Sequence, residues 1–164
     1  MKHRFIRRLA IATIASLAAS PLAAPVVFAQ LKPAPSAAGS WSFKTGQLRG
    51  DCDISGDMEI RETSKNAYVC KFKAVQICRG RLPRAIHTEQ SCIATQTGDA
   101  VIITSKVEKI VSVDPRELME GMDKLYAADN FRVTINRRGD QMDGRFESLS
   151  TARVLFQRQQ ELVS

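Results

Sequence analysis

The sequence predicts an all-β protein, a small antiparallel up-and-down barrel or sandwich of about eight strands with one short helix. Long stretches alternate apolar and polar residues with a period of two, which is typical of strands with one buried face. Turn signals recur between these stretches, as they do in all-β sandwiches and barrels. The four cysteines are able to link neighbouring strands.

The N-terminal segment predicts export. Residues 1–29 have a basic start, a short apolar run and a small-residue exit at Ala29, which is typical of a secretory signal peptide cleaved before Gln30. Pro21 and Pro25 interrupt the run, whereas a spanning helix needs roughly 20 predominantly apolar residues. We therefore expect a periplasmic or secreted protein of bacterial type, with no membrane span after cleavage.

The charge balance argues against a nucleic-acid partner. The whole chain has 24 basic and 17 acidic residues, a net charge of +7. Lys2, Arg4, Arg7 and Arg8 lie in the predicted leader, which has no acidic residue, so the mature chain has 20 against 17, or +3. Because so much of the basicity leaves with the leader, we do not expect nucleic-acid binding.

The mature chain should form one domain. Residues 30–40 are rich in Pro, Ala and Ser and are expected to be a flexible lead-in, followed by a single disulfide-stapled β domain over residues 41–160. In residues 100–113, alternation places Val107, Val111 and Val113 on one face. The strands are predicted to begin near Trp41 and then to cover residues 48–62, 67–78, 85–95, 100–113, 131–135, 142–146 and 154–158.

One helix is predicted to interrupt the strands. Asp114 is placed as the N-cap, Pro115 at the first helical position and Glu117 as the capping-box acid. These signals predict a helix of about three turns over residues 115–126. An apolar stripe at helical spacing supports it: Leu118, Met119, Met122, Leu125 and Tyr126.

The four cysteines, Cys52, Cys70, Cys78 and Cys92, are predicted to form two disulfides, because exported chains meet an oxidising compartment. Cys70 and Cys78 on one strand would lie about 26 Å apart, too far for a bond. Folding neighbouring strands back on each other favours Cys52 with Cys78 and Cys70 with Cys92. The alternative, Cys52 with Cys70 and Cys78 with Cys92, stays open.

No cofactor or metal site is predicted.

Three residues of one predicted strand could in principle form a catalytic site. His87, Glu89 and Ser91 share a strand face and are the residue types of a hydrolytic site. Residues two apart on a strand are separated by about 7 Å, beyond hydrogen-bonding reach. We therefore expect a solvated strand face and a non-enzymatic protein. A hydrolase that uses His87 is the least favoured alternative.

Gly39 and Trp41 open the first strand, and the last strand contains Arg153 and Arg158. This layout resembles the calycin-type barrels, the group of lipocalin-like, avidin-like and bacterial secreted proteinase-inhibitor barrels, in which a G-x-W near the start packs against an arginine of the last strand. The resemblance implies a closed barrel whose first and last strands meet, with Trp41 stacked by Arg158. Trp41 as an ordinary core residue is the alternative.

These features predict a non-enzymatic cell-envelope binding protein, for a small apolar ligand or a protein partner, of unspecified oligomeric state. The resemblance to inhibitor barrels gives an alternative, a proteinase inhibitor in which residues 30–40 reach into a protease cleft. A cavity would lie within an inward set that includes Phe72, Val107, Val133 and Phe146, whereas a filled core would leave no such volume.

Overall fold

The computed structural model describes residues 33–81 and 83–160, which form a closed barrel of eight antiparallel strands. Each strand pairs with the next in the chain, and β1 also pairs with β8, so the barrel is selected over the sandwich. The predicted signal peptide lies outside the described residues. The strands are β1 (Gly39–Thr45), β2 (Cys52–Ser64), β3 (Ala67–Cys78), β4 (Arg84–Thr97), β5 (Ala100–Asp114), β6 (Asn130–Ile135), β7 (Gln141–Glu147) and β8 (Thr151–Arg158).

The up-and-down order gives the barrel two ends. We call the end with the β1–β2, β3–β4, β5–β6 and β7–β8 connections the mouth, and the opposite end the floor. Strand β5 has 15 residues but pairs with β6 only over Ala100–Ile103. The upper part of β5 therefore has no strand partner on that side. Residues 115–129, which we call the mouth segment, connect this part of β5 to β6.

Five phenylalanines fill the middle of the barrel, because alternate residues of each strand point inward. Phe131 is fully buried, and its ring centroid lies 5.1 to 5.9 Å from those of the other four. These rings leave the middle of the barrel filled, as the filled-core alternative predicts. We call them the aromatic layer. The other four rings are Phe43, Phe72, Phe146 and Phe156.

Two irregularities in the pairing of β4 with β5 correct the predicted inward face. Thr88 lies opposite Ile110 and Gln90 lies opposite Val107. Strand β5 therefore has one extra residue beside each of these two pairs, which makes each a β-bulge. Val111, predicted to face inward, is consequently 45% exposed, and the partly buried Ile110 takes the place beside Thr88. A strict period of two cannot anticipate a bulge, because each bulge reverses the parity of the residues that follow it.

The three-turn helix predicted over residues 115–126 is wrong in extent. The structure has a 3-10 turn at Arg116–Leu118 and one helical turn, α1, at Met122–Leu125. Pro115 is extended, and no side chain caps the 3-10 turn. Between the two turns Gly121 adopts φ 77°, in the left-handed region that glycine tolerates and a continuous right-handed helix excludes.

Two disulfides join β2, β3 and β4, Cys52 to Cys78 and Cys70 to Cys92. These are the pairs that strand register favours, because the partners lie directly opposite each other in the ladders. The two bonds indicate an oxidising environment for the folded chain. Each closes a loop of 26 or 22 residues and restricts the unfolded chain accordingly.

The end of the predicted lead-in is held against the floor, contrary to the expectation that residues through Ser40 are flexible. Ala37 is fully buried, and its backbone N–H donates to Gln96 Oε1 at 3.0 Å. Gln96 Nε2 donates to the Pro35 carbonyl at 2.8 Å, and the Tyr68 hydroxyl lies 2.9 Å from Gln96 Oε1. The first strand begins at Gly39, two residues before the predicted start at Trp41.

Candidate functional site

An open pocket of about 440 Å³ occupies the mouth of the barrel. This volume lies within the range of small-molecule sites. The wall is formed by the β1–β2 connection, the upper ends of β2, β3 and β4, the mouth segment and the β7–β8 turn. Phe146, from the aromatic layer, is part of the lining. Other apolar side chains of the lining are Leu48, Ile54, Ile86 and Met122.

Three further leucines line the pocket while exposing much of their surface. Leu149, in the β7–β8 turn, is 78% exposed, Leu125 of α1 is 68% exposed, and Leu118 is 37% exposed. A lone exposed leucine is ordinary, whereas a group of them around one concave surface is typical of a binding site. An apolar molecule in the pocket would remove these side chains from water.

The pocket lining is basic on one side. Of the described residues that form it, Arg49 and Arg84 are the charged ones. Arg49 belongs to the β1–β2 connection, and Arg84 is the first residue of β4. No ion pair joins either arginine to a carboxylate within residues 33–81 and 83–160. Their guanidinium groups are therefore available to an anion.

A buried polar cluster lies behind the pocket wall. Asp129 is 1% exposed, and its Oδ2 accepts hydrogen bonds from Gln90 Nε2 at 2.6 Å and from the Tyr126 hydroxyl at 3.0 Å. Gln90 Oε1 in turn accepts the backbone N–H of Asp129 at 3.1 Å. Tyr126 also lines the pocket, so this cluster links the mouth segment to the inner face of β4.

The environment of this cluster shifts two pKa values. Burial raises the pKa of Asp129 to about 6, although the hydrogen bonds from Tyr126 and Gln90 oppose the shift. Burial also raises the pKa of the Tyr126 hydroxyl, and the negative charge of Asp129 adds to the effect. The cluster therefore holds a carboxylate inside the barrel with neutral donors as its hydrogen-bond partners.

Sequence reasoning did not identify Asp129 or Gln90 as partners, because 39 residues separate them in the chain. One signal was available. Gln90 has the parity of Cys92 in a strand whose other face is solvated, so it is a polar residue placed on the inward face. A buried amide requires hydrogen-bond partners, and Asp129 supplies them.

At the floor, Gly39, Trp41 and Arg158 come together. The guanidinium carbon of Arg158 lies 4.2 Å from the centroid of the Trp41 ring, and the two residues are paired across β1 and β8. Arg158 also donates to the carbonyls of Ser36, Ala38 and Gly139. A Cβ at Gly39 would meet the Arg158 guanidinium, so glycine leaves the space it needs. The other candidate in β8, Arg153, pairs with Asp143 instead.

The residues considered for hydrolysis do not form a hydrogen-bonded set. His87 is exposed on the outer wall, Glu89 lies 3.9 Å from Lys73, and the Ser91 hydroxyl donates to Glu108 at 2.6 Å. The Ser91 hydroxyl is therefore hydrogen-bonded to a carboxylate of β5 and not to His87. The hydrolase alternative stays a prediction without support from this geometry.

The outer wall of β2 to β5 contains two larger hollows, of about 550 and 730 Å³. The larger hollow is lined by charged side chains, such as Lys73 and Glu89, that pair with each other. The smaller hollow combines an ion pair with the exposed apolar side chains of Val69 and Ile93. Ion pairs are the normal covering of a solvated sheet face, whereas the mouth pocket has three exposed leucines above an aromatic side chain. The mouth pocket is therefore the better candidate for a small apolar ligand.

The contacts of residues 35–38 at the floor affect any truncation test of the proteinase-inhibitor alternative. Removal of all residues before Gly39 would also remove the carbonyls of Ser36 and Ala38 that Arg158 binds, along with buried Ala37. Such a truncation would disturb the barrel itself. Loss of inhibition would then not separate an inhibitory arm from a folding defect.

Among the described residues, no helix has the length and apolar character needed to cross a membrane. No protein-family model matches the chain, and no curated protein is significantly similar to it. Among solved structures, it is similar to a de novo designed fluorescence-activating β-barrel, with 15% identity and a TM-score of 0.43, over 74% of this chain and 93% of that one. This likeness assigns neither a family nor a ligand.

Proposed function

We propose that this chain is an exported, non-enzymatic binding protein of the bacterial cell envelope that holds a small apolar ligand in its mouth pocket. The observation that carries the proposal is the group of exposed leucines around the pocket, with Leu125 and Leu149 each more than half exposed. Covering such side chains is worth about 25 cal/mol per Å² of apolar surface removed from water. The rigid aromatic layer beneath gives the pocket a fixed base.

A periplasmic or secreted location and a calycin-type barrel are parts of the same proposal. The two disulfides support the location, because such bonds persist in oxidising compartments. The contacts among Gly39, Trp41 and Arg158 support the calycin-type barrel, since they are what the resemblance implies. A binding role suits this architecture, in which connections at one end surround a pocket on a rigid wall.

The neutral fluorescent probe N-phenyl-1-naphthylamine tests this proposal, since its emission rises on entering an apolar site. We expect saturable binding to the mature protein, and we expect the double variant Leu125→Asn, Leu149→Asn to weaken it about tenfold. Partial loss of two leucine contacts corresponds to about 1.4 kcal/mol, or one factor of ten. Titration of the fluorescence at constant probe concentration measures this change.

The matched control is Ile93→Asn, which alters a 64% exposed side chain on the outer wall. This variant should bind the probe as the parent protein does. A reversed result, with Ile93→Asn weakening binding while the leucine variant leaves it intact, would assign the apolar site to the outer wall and refute the mouth pocket. Absence of saturable binding to the parent protein would also contradict the proposal.

A further inference from the structure

We infer that the ligand of the mouth pocket is an amphipathic anion, whose apolar part lies against the leucines and whose charged group binds Arg49 and Arg84. This inference rests on the proposed function, because it specifies the class of ligand for the same pocket. Such a ligand has a carboxylate or phosphate group at one end of an apolar chain or ring.

The two arginines occupy one rim of the pocket. Arg84 lies opposite Cys78 in the β3–β4 ladder, and Cys78 lies opposite Cys52 in the β2–β3 ladder. Arg49 precedes Cys52 by three residues, in the connection that enters β2. Both side chains line the pocket where the upper ends of β2 to β4 surround it. The charged group of a ligand at this rim can therefore bind the guanidinium of Arg49, of Arg84, or of both.

Their lack of protein partners distinguishes these arginines from a neighbour. Arg79, in the β3–β4 connection, forms an ion pair with Asp53 at 2.6 Å. Within the two described ranges, Arg49 and Arg84 have no carboxylate partner. A guanidinium presents five donors in a planar fork that fits carboxylate and phosphate oxygens. The pocket thus offers anion-binding groups that the protein's own acids do not occupy.

Acidic residues are present around the mouth, but none of the described ones is part of the pocket lining. Asp51 lies two residues from Arg49 in the β1–β2 connection, and the mouth segment combines acids with bases. The exposed charges of the mouth segment are Arg116, Glu117, Glu120, Asp123 and Lys124. Among the described residues of the lining itself, the charges are those of Arg49 and Arg84. These two side chains therefore place the charged group of a ligand at the arginine rim and leave its apolar part for the leucines and Phe146.

Competition against bound N-phenyl-1-naphthylamine tests the inference with three molecules that share a ten-carbon chain: decan-1-ol, decanoate and decyl phosphate. At pH 7.5 and low salt, we expect at least one of the two anions to displace the probe at about tenfold lower concentration than the alcohol. Each partly exposed charge pair contributes up to about fivefold in affinity, so two arginines give this order of effect. The better anion identifies the charged group, and either preference supports the inference.

In the charge-removing double variant Arg49→Gln, Arg84→Gln, the preference for anions over decan-1-ol, measured as a ratio of competing concentrations against the variant's own probe affinity, should fall to about one. The matched control is Arg137→Gln, Arg138→Gln, which removes two exposed charges from the β6–β7 turn at the floor. This control should keep the preference. Because it changes the net charge equally, it separates local binding from long-range attraction.

Two sets of results would overturn the inference. If decan-1-ol competes as well as both anions while the probe binds, the pocket is a site for neutral apolar ligands, and the proposed function stands alone. If the preference for anions survives in the variant without Arg49 and Arg84, the anion binds elsewhere and the assignment to these arginines is wrong. Failure of the probe to bind at all contradicts the proposed function first and this inference with it.

Discussion

Replacing Phe131 with alanine is expected to lower the free energy of unfolding by about 3–5 kcal/mol. The Phe131 ring lies edge-on to Phe43, Phe72, Phe146 and Phe156, so its loss leaves a cavity between four other rings. The barrel cannot collapse easily onto such a cavity, because at Phe131 strand β6 is paired with β5 on one side and with β7 on the other. Equilibrium unfolding in urea, with the disulfides intact, measures the change.

The control for this prediction is Leu149→Ala, which shortens an apolar side chain that is 78% exposed. It should change the unfolding free energy by no more than about 0.5 kcal/mol, as expected for a surface position. Since small domains have total stabilities of about 5–15 kcal/mol, the Phe131 variant should lose a large part of its stability. A loss below about 1 kcal/mol at Phe131 would mean that the aromatic layer is not the stabilising centre of the barrel.

The second large effect is on the pH dependence of stability, through Asp129. Its pKa is about 6 in the folded protein, above the ordinary value of 3.8, because burial disfavours the carboxylate. The folded state therefore binds this proton more tightly than the unfolded state does. The contribution of Asp129 to stability is fully present below pH of about 4 and is lost as the pH rises through about 6. The complete shift corresponds to about 3 kcal/mol.

The variant Asp129→Asn removes this titration. Between pH 4.5 and pH 8, the unfolding free energy of the parent protein should therefore fall by about 2 kcal/mol relative to that of the variant. Comparing the two proteins cancels the titration of groups that they share. The matched control is Asp123→Asn, which removes one exposed carboxyl from the same mouth segment and so changes the net charge equally. If the unfolding free energies of the parent and of Asp129→Asn differ by the same amount at both pH values, the Asp129 carboxyl does not carry the burial penalty described.

The strand framework could be predicted from local pattern. Alternation of apolar and polar residues gave the strands, and short turns gave the antiparallel register that sets Cys52 opposite Cys78 and Cys70 opposite Cys92. Period-two geometry allows this, because a strand has two faces and neighbouring strands must match their buried ones. The stacking of Trp41 with Arg158 followed instead from the resemblance to calycin-type barrels.

The mouth was not predictable in the same way. The apolar stripe of residues 115–126 predicts one helix, yet the structure has two short turns there. Four members of the stripe line the pocket, and one of them, Tyr126, donates a hydrogen bond to the buried Asp129 carboxylate. Helical spacing alone does not reveal which neighbours a side chain will meet. The bulges that expose Val111 also depend on how β4 curves against β5.

The sequence by itself determined the all-β class and favoured the disulfide partners that the structure shows, because these follow from residue parity and from the length of the turns. Only the tertiary structure decided where open volume lies and which polar groups surround it. Phe131 fills the middle of the barrel, Gln90 meets Asp129 across 39 residues, and Arg49 and Arg84 share the rim of one pocket. These arrangements depend on barrel closure, which brings together side chains that no local pattern relates.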